Sequence, residues 1–315
     1  EFINQGKIMV LEGSEAVLEG LPKGKWIAGS SHYFMDGVGK ICKDKIFVED
    51  FTDYAIDYKI MSFDETNISQ VGVNSFDNGF SVILLPLGTK VYYEFSQNSM
   101  TYERIFDNPL VGFVTNLDFE DLGKKIPRTC TGVDPELSEK AVVLYVRLSN
   151  KYSARAEIMN FDIIDETSPV LVFDKTSFVQ GDCLVNGQKG NIAQVLEQVK
   201  EKYGEYKPLI TSMNGALVNR DLNCVDVEKG EVTFFSPAYE GDEYRISKSS
   251  GDYLTTFNEC LSKKKNILAC FSCTSYFFSG FEGKTVNFNG TYAFGEIAFQ
   301  LLNKTIVTLE IDEVE

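Results

Sequence analysis

The chain has 315 residues, 43% of them hydrophobic and 13% aromatic, with 30 Lys and Arg against 46 Asp and Glu and a formal net charge of −16. A chain of that size and composition buries about three quarters of its unfolded surface, which excludes disorder over most of its length. The acid excess opposes ligands recognised by phosphate neutralisation, so neither a nucleic acid nor an anionic membrane surface is an expected partner; it reads first as a solubility feature, with a basic substrate or partner as the sharper alternative.

No run approaches the ~18–20 apolar residues of a membrane span. The opening EFINQGKIMVLEG lacks both the basic and the long apolar region of a leader. The cysteine count, seven, is odd for a secreted disulfide framework, so reduced thiols and a cytoplasmic location are expected.

In chain order, a short helix is predicted near Ser14 to Gly20, followed by a strand-like WIAG that delivers Ser30, Ser31 and His32. Phe80 to Leu87 and Ala141 to Leu148 are near-continuous apolar runs, the mark of strands covered on both faces. Arg155 to Ile164 alternates imperfectly and reads as a further strand. The polar DETSP (Asp165 to Pro169) is the softest boundary. Ile192, Val195, Leu196, Val199 and Tyr203 follow helical spacing, with Asn191 as N-cap and Gly204 just past the end. A strand at Val232 to Phe235, a helix over Asp252 to Ser262, and strands at Ile267 to Phe271 and Lys304 to Ile311 complete the set. The same order of elements recurs in both halves, which predicts an α/β (mixed α+β) fold of two related lobes, 1–165 and 166–315, each a mixed sheet flanked by helices.

Chemistry is narrowed by what is scarce. His32 is the single histidine, and no two cysteine pairs share finger spacing, so no metal site is expected. Any Cys-His or Ser-His chemistry would have to use His32, whose bland alternative is a packed or surface imidazole. Cys270 and Cys273 form a C-x-x-C, but Cys270 sits inside the run ILACF and reads as a buried, inert thiol, whereas Cys273 falls at or beyond the strand end. GDCLVNGQKGN before the helix at Ile192 has neither the G-x-G-x-x-G nor the Walker spacing, and a plain turn accounts for it. No cofactor is expected.

NILACFSCTSYF, a spacer, and NGTYAFGEIAFQLLNKTIVTLEI resemble the end of FIST domains, a bacterial family in which a hydrophobic strand runs into a Ser-Cys pair and a later strand carries Gly-Glu. Ser272, Cys273, Phe294, Gly295, Glu296, Asn303 and Thr305 match those positions; the likeness covers about Lys207 to Glu310. It implies a divergent, stand-alone sensory module that binds a small molecule. Thr274, Ser275 and Tyr276 stand where the family's pair is usually followed by a small residue, Gly and Arg, so a bidentate arginine clamp on a carboxylate is missing.

The expectation is a non-enzymatic small-molecule-binding protein, with a small polar or cationic metabolite held between the lobes and a signalling protein as partner. The expected ligand-binding residues are Ser272, Cys273, Tyr276, Gly295 and Glu296, with Ser30, Ser31 and His32 from the other lobe. The alternative is a hydrolase or transferase with Cys273 as nucleophile and His32 as base.

Overall fold

Strands make up 45% of the chain and helices 18%, so the fold is mixed α+β with sheets dominant. A computed structural model describes residues 1–213, 215–249, 251–286 and 289–314. Its contacts resolve two compact units: unit 1 comprises 1–157, 257–301 and 306 onward, and unit 2 comprises 158–256 and 302–305.

Unit 1 begins with β1 (Ile8–Gly13), α1 (Glu15–Leu18), β2 (Lys25–Ser30), β3 (Tyr33–Asp36), β4 (Val38–Ile41), β5 (Phe47–Asp50) and β6 (Ala55–Phe63). It continues through β7 (Gly79–Pro86), α2 (Lys90–Asn98), β8 (Leu110–Thr115), β9 (Thr129–Thr131), β10 (Ala141–Leu148) and β11 (Tyr152–Met159). The chain then enters unit 2 through β12 (Asp162–Ile164), β13 (Leu171–Val172), β14 (Ser177–Gln180), β15 (Asp182–Val185) and β16 (Gln188–Asn191). It goes on through α3 (Ile192–Tyr203), β17 (Leu209–Met213), β18 (Ala216–Arg220), β19 (Leu222–Asp226), β20 (Glu231–Ala238) and β21 (Glu243–Ser249). α4 (Tyr253–Ser262) leads back to β22 (Ile267–Cys273), α5 (Thr274–Tyr276), β23 (Asn289–Ala293), β24 (Glu296–Ala298), β25 (Gln300–Leu302) and β26 (Ile306–Glu313).

Three sheets build unit 1, in the orders β5-β1-β2-β9, β25-β24-β8-β7-β10-β6 and β11-β26-β22-β23-β3-β4. The runs read as doubly covered strands are buried along most of their length: all eight positions of β7, seven of eight in β10 and the last five of seven in β22; all six positions of β8, which the sequence did not single out, are buried as well. Parallel pairs lie at the heart of each sheet: β1 with β2, β7 with β8, and β22 with β23. Parallel strands need crossovers and coverage on both faces. One face of the first sheet packs Met9, Leu11, Trp26, Ala28 and Cys130 beneath Leu18 of α1. The opposite face carries Val10 and Ile27 and, unexpectedly for a buried strand, Glu12 and Glu49.

In unit 2, β16-β15-β13-β21-β17-β18 form one sheet, with β12 also on β21, and β14-β20-β19 form a second. The helix read from Ile192 to Tyr203 is α3 with those same bounds; its Ile192, Val195, Leu196 and Val199 pack on Leu171, Phe173, Leu209 and Phe234. The strand expected over Arg155 to Ile164 is interrupted at Asn160 and Phe161, where the Asn160 side chain accepts from the Asp162 N–H and donates to the Leu217 carbonyl instead of continuing a ladder.

Candidate functional site

Five strands of unit 1 end in one neighbourhood, and hydrogen bonds tie their carboxyl ends together. The Ser31 N–H donates to the Gly13 carbonyl at the end of β1 (2.9 Å), and the Asn116 N–H donates to the Ser30 carbonyl at the end of β2 (2.9 Å). Thr274 Oγ1, just after β22, donates to the Ala293 carbonyl at the end of β23 (3.0 Å). The Asn116 side chain, one residue beyond β8, is the hub: Nδ2 donates to Ser31 Oγ and to the Tyr292 carbonyl (3.0 Å each), and Oδ1 accepts the His32 N–H (2.9 Å).

All eight residues singled out in the sequence lie in unit 1. Ser30 ends β2, and Ser31 and His32 bridge it to β3; the three are buried, His32 at 7% exposure. Ser272 sits opposite Tyr292 on β22, and Cys273 is the last residue of that strand, aligned with Ala293. Cys273 Sγ lies 2.7 Å from Ser275 Oγ. Gly295 joins β23 to β24 and its carbonyl accepts the Val114 N–H (2.8 Å). Glu296 pairs with Phe113 and therefore shares its face of the sheet, where Phe113 meets Phe271; its side chain is fully buried. Tyr276 stacks on Phe281 (5.9 Å, 18°) and is 2% exposed, so its ring belongs to packing. Cys270 is fully buried, and burial pushes its thiol well above the ordinary range. None of the seven cysteines forms a disulfide.

Asn116, Asp118 and Phe119 complete the neighbourhood. Asp118 Oδ1 lies 3.6 Å from His32 Nδ1 and its other oxygen pairs with Lys43. Burial lowers the His32 pKa, Asp118 opposes that shift and Lys43 adds to it, so the imidazole is held neutral below its usual midpoint. Phe119 and Phe278, 47% and 51% exposed, meet edge-on at 4.7 Å and pack on Tyr33, with Phe294 beside Phe119 (5.2 Å). The available signal was VTNLDF: polar Asn116 and Asp118 directly follow an apolar run, as Ser31 and His32 follow WIAG.

A pocket of about 310 Å³ adjoins this end through Cys42, whose N–H donates to the His32 carbonyl (2.9 Å). Phe34 and Phe47 stack at 5.5 Å in its lining, with Asp36, Lys40, Asp44 and Lys45 also on its walls. Among the described residues no cluster of three His, Cys, Asp or Glu side chains has a metal-holding arrangement, and no helix is long and apolar enough to cross a membrane.

No curated protein and no solved structure matches the chain. One family model, described as a family of unknown function (DUF6976), matches residues 1–312, and the chain belongs to that family.

Proposed function

We propose that unit 1 binds a small polar or cationic metabolite at its gathered strand ends, in a sensory rather than a catalytic role. The observation that carries this reading is the meeting of the carboxyl ends of β1, β2, β8, β22 and β23 around Asn116. Open α/β sheets place their ligands outside such ends, because there the backbone groups and the first loop residues converge without filling the space. The adjoining volume of about 310 Å³ suits a small metabolite. Asp118 supplies an accessible carboxylate, already engaged with one ammonium group, that of Lys43. Phe119 and Phe278 offer aromatic surface beside it, a combination that favours an organic ammonium ligand. The resemblance to FIST domains points the same way, towards a ligand signal relayed to a signalling protein.

A thermal-shift screen with amines, quaternary ammonium compounds and amino acids tests the reading. A ligand at ~100 times its Kd adds about 2.7 kcal/mol of stability, a rise of several degrees. Asp118→Asn should abolish that rise, whereas Asp44→Asn should weaken it only if the ligand reaches into the adjoining pocket. A ligand whose shift survives Asp118→Asn, His32→Gln and Phe278→Ala together would place binding elsewhere.

A second reading is favoured by one arrangement. Cys273 ends β22, His32 precedes β3, and β23 runs between them, so their backbones lie roughly 10 Å apart at ordinary strand spacing. Ala293 presents only a methyl group in between, and Asp118 stands behind His32. A thiol-dependent hydrolase or transferase would use this order of groups. Fast alkylation of Cys273 near neutral pH, slowed by His32→Gln, would favour it; labelling no faster than that of an ordinary buried thiol would reject it.

A further inference from the structure

Glu12 and Glu49 occupy the inner face of the β5-β1-β2-β9 sheet of unit 1, where their neighbours are Val10, Ile27 and the bare backbone of Gly29. Glu12 is fully buried and Glu49 is 7% exposed. The register sets Glu49 beside Val10 and Glu12 beside Phe47, so the two carboxyls come from diagonal positions on one face of adjacent antiparallel strands. Each reaches across to the β22–β23 sheet. Glu12 Oε2 accepts a hydrogen bond from Thr291 Oγ1 on β23, and the Glu49 carboxyl faces the Cys270 N–H on β22, which opposes part of its upward shift. Glu12 Oε1 and Glu49 Oε2 remain buried with no hydrogen-bond partner among the described residues.

We propose that Glu12 and Glu49 form a proton-operated latch between these two sheets of unit 1, closed while the pair holds a proton and loosened when both carboxyls ionise. The latch is a property of the unit 1 core and does not depend on the strand-end site binding a ligand.

The charges around the pair explain why it keeps its protons. From β22 it faces Cys270, itself a thiol pushed up by burial; from β23 it faces Thr291, which does not titrate. Glu310 on β26 acts on Cys270 and is held by Lys264 (3.0 Å) and Arg155. From β2, Gly29 lies opposite Glu12. At the near end of these strands, Lys7 just before β1 and Asp50 of β5 satisfy each other. Among the described residues no cation acts on either glutamate. Desolvation raises Glu12 to about 8, offset in part by Thr291; desolvation and the neighbouring Glu12 raise Glu49 well above its ordinary value. An acid whose folded pKa is raised binds more protons folded than unfolded. Its contribution is therefore complete below the ordinary value of 4.5 and declines as pH rises, reaching its floor for Glu12 near 8.

The chain has one tryptophan, Trp26, fully buried on the other side of the same sheet and aligned with Met9 of β1, so its emission reports on this sheet alone. In the full chain, emission should move to longer wavelength as pH passes through about 8, and the melting temperature should already fall from about pH 4.5 upward. Glu12→Gln with Glu49→Gln keeps shape and an acceptor oxygen for Thr291 while removing the titration, and should flatten both curves. At pH 9 its folded-to-unfolded ratio should exceed that of the parent by on the order of a thousand-fold. Carboxyl ¹³C titration of the parent chain supplies a measurement that needs no variant to fold. One glutamate resonance with its midpoint near 8 and a second displaced well above the ordinary value support the latch; all glutamates titrating near the ordinary value, or a double variant whose pH profile tracks the parent, overturns it.

Discussion

The amide of Asn116 serves three partners from two distant chain segments: Ser31 Oγ and the His32 N–H in one, and the Tyr292 carbonyl in the other. Asn116→Ala leaves these buried groups unpaired, and a loss of about 2–4 kcal/mol in urea unfolding is expected. Asn116→Asp still accepts from His32 but loses both donors and buries a charge, so its deficit should be larger at pH 7 than at pH 4. His32 gives a second pH signature. Burial lowers its folded pKa below the ordinary 6.5, so the unfolded chain binds the proton more readily and stability falls as pH drops through that value. His32→Gln should remove the part of the stability slope that lies just below pH 6.5. At this scale the sequence was legible where a side chain's role follows from its place in a run. Ser31, His32 and Cys273 stand at strand ends because the apolar stretches before them stop there. Glu12 and Asn116 were not legible, since their partners Thr291 and Tyr292 lie far along the chain and single-strand periodicity carries no record of them. A glutamate inside the otherwise apolar IMVLEG was the one local sign.

At the scale of elements, local rules held best where the element needed no distant help. α3 starts at the Asn191 cap, whose Oδ1 accepts the Ala193 N–H (3.0 Å), and ends at Gly204 in the left-handed region (φ 79°). Asn191 Nδ2 also donates to the Gly230 carbonyl (2.9 Å). Asn191→Ala should therefore cost more than the ~1 kcal/mol of an ordinary cap, and Asn191→Asp, which keeps the cap acceptor, clearly less. β8 depends instead on a neighbour. Gly112 has φ 151°, and a Cβ there would sit 1.9 Å from the Ile83 carbonyl oxygen of β7. Gly112→Ala should destabilise unit 1 by more than ~3 kcal/mol, or leave the protein insoluble. The long apolar runs of β7, β10 and β22 were readable because burial on both faces demands them. The assembly of β3, β22, β23 and β26 into one sheet was not, because strand pairing over such separations depends on register and crossover geometry, which no local pattern encodes.

At the scale of the whole molecule, sequence neighbours and structural neighbours part company. Unit 1 is assembled from 1–157, 257–301 and 306 onward, so β26 shares a sheet with β3 and β4, which precede it by more than half the chain. Hydrogen exchange should report this directly: amides of β22 and β26 should open together with those of β2 and β3, and separately from those of α3. Gly112→Ala should accelerate the first group and leave the second near its parent rate. The split membership also dictates an order of events on the ribosome. The segment 158–256, nearly all of unit 2, emerges as one continuous stretch and has its own apolar cluster around α3. Unit 1, by contrast, waits with one edge of β3 open, β4 covering the other, until β23 has been translated, and with one edge of β22 open until β26 follows. An unpaired, apolar strand edge held open for the synthesis of more than a hundred and fifty residues is a target for chaperones and for misassembly. Slowing translation after β21 would lengthen that exposure, so the yield of soluble protein should be more sensitive to pausing there than at any point before β3.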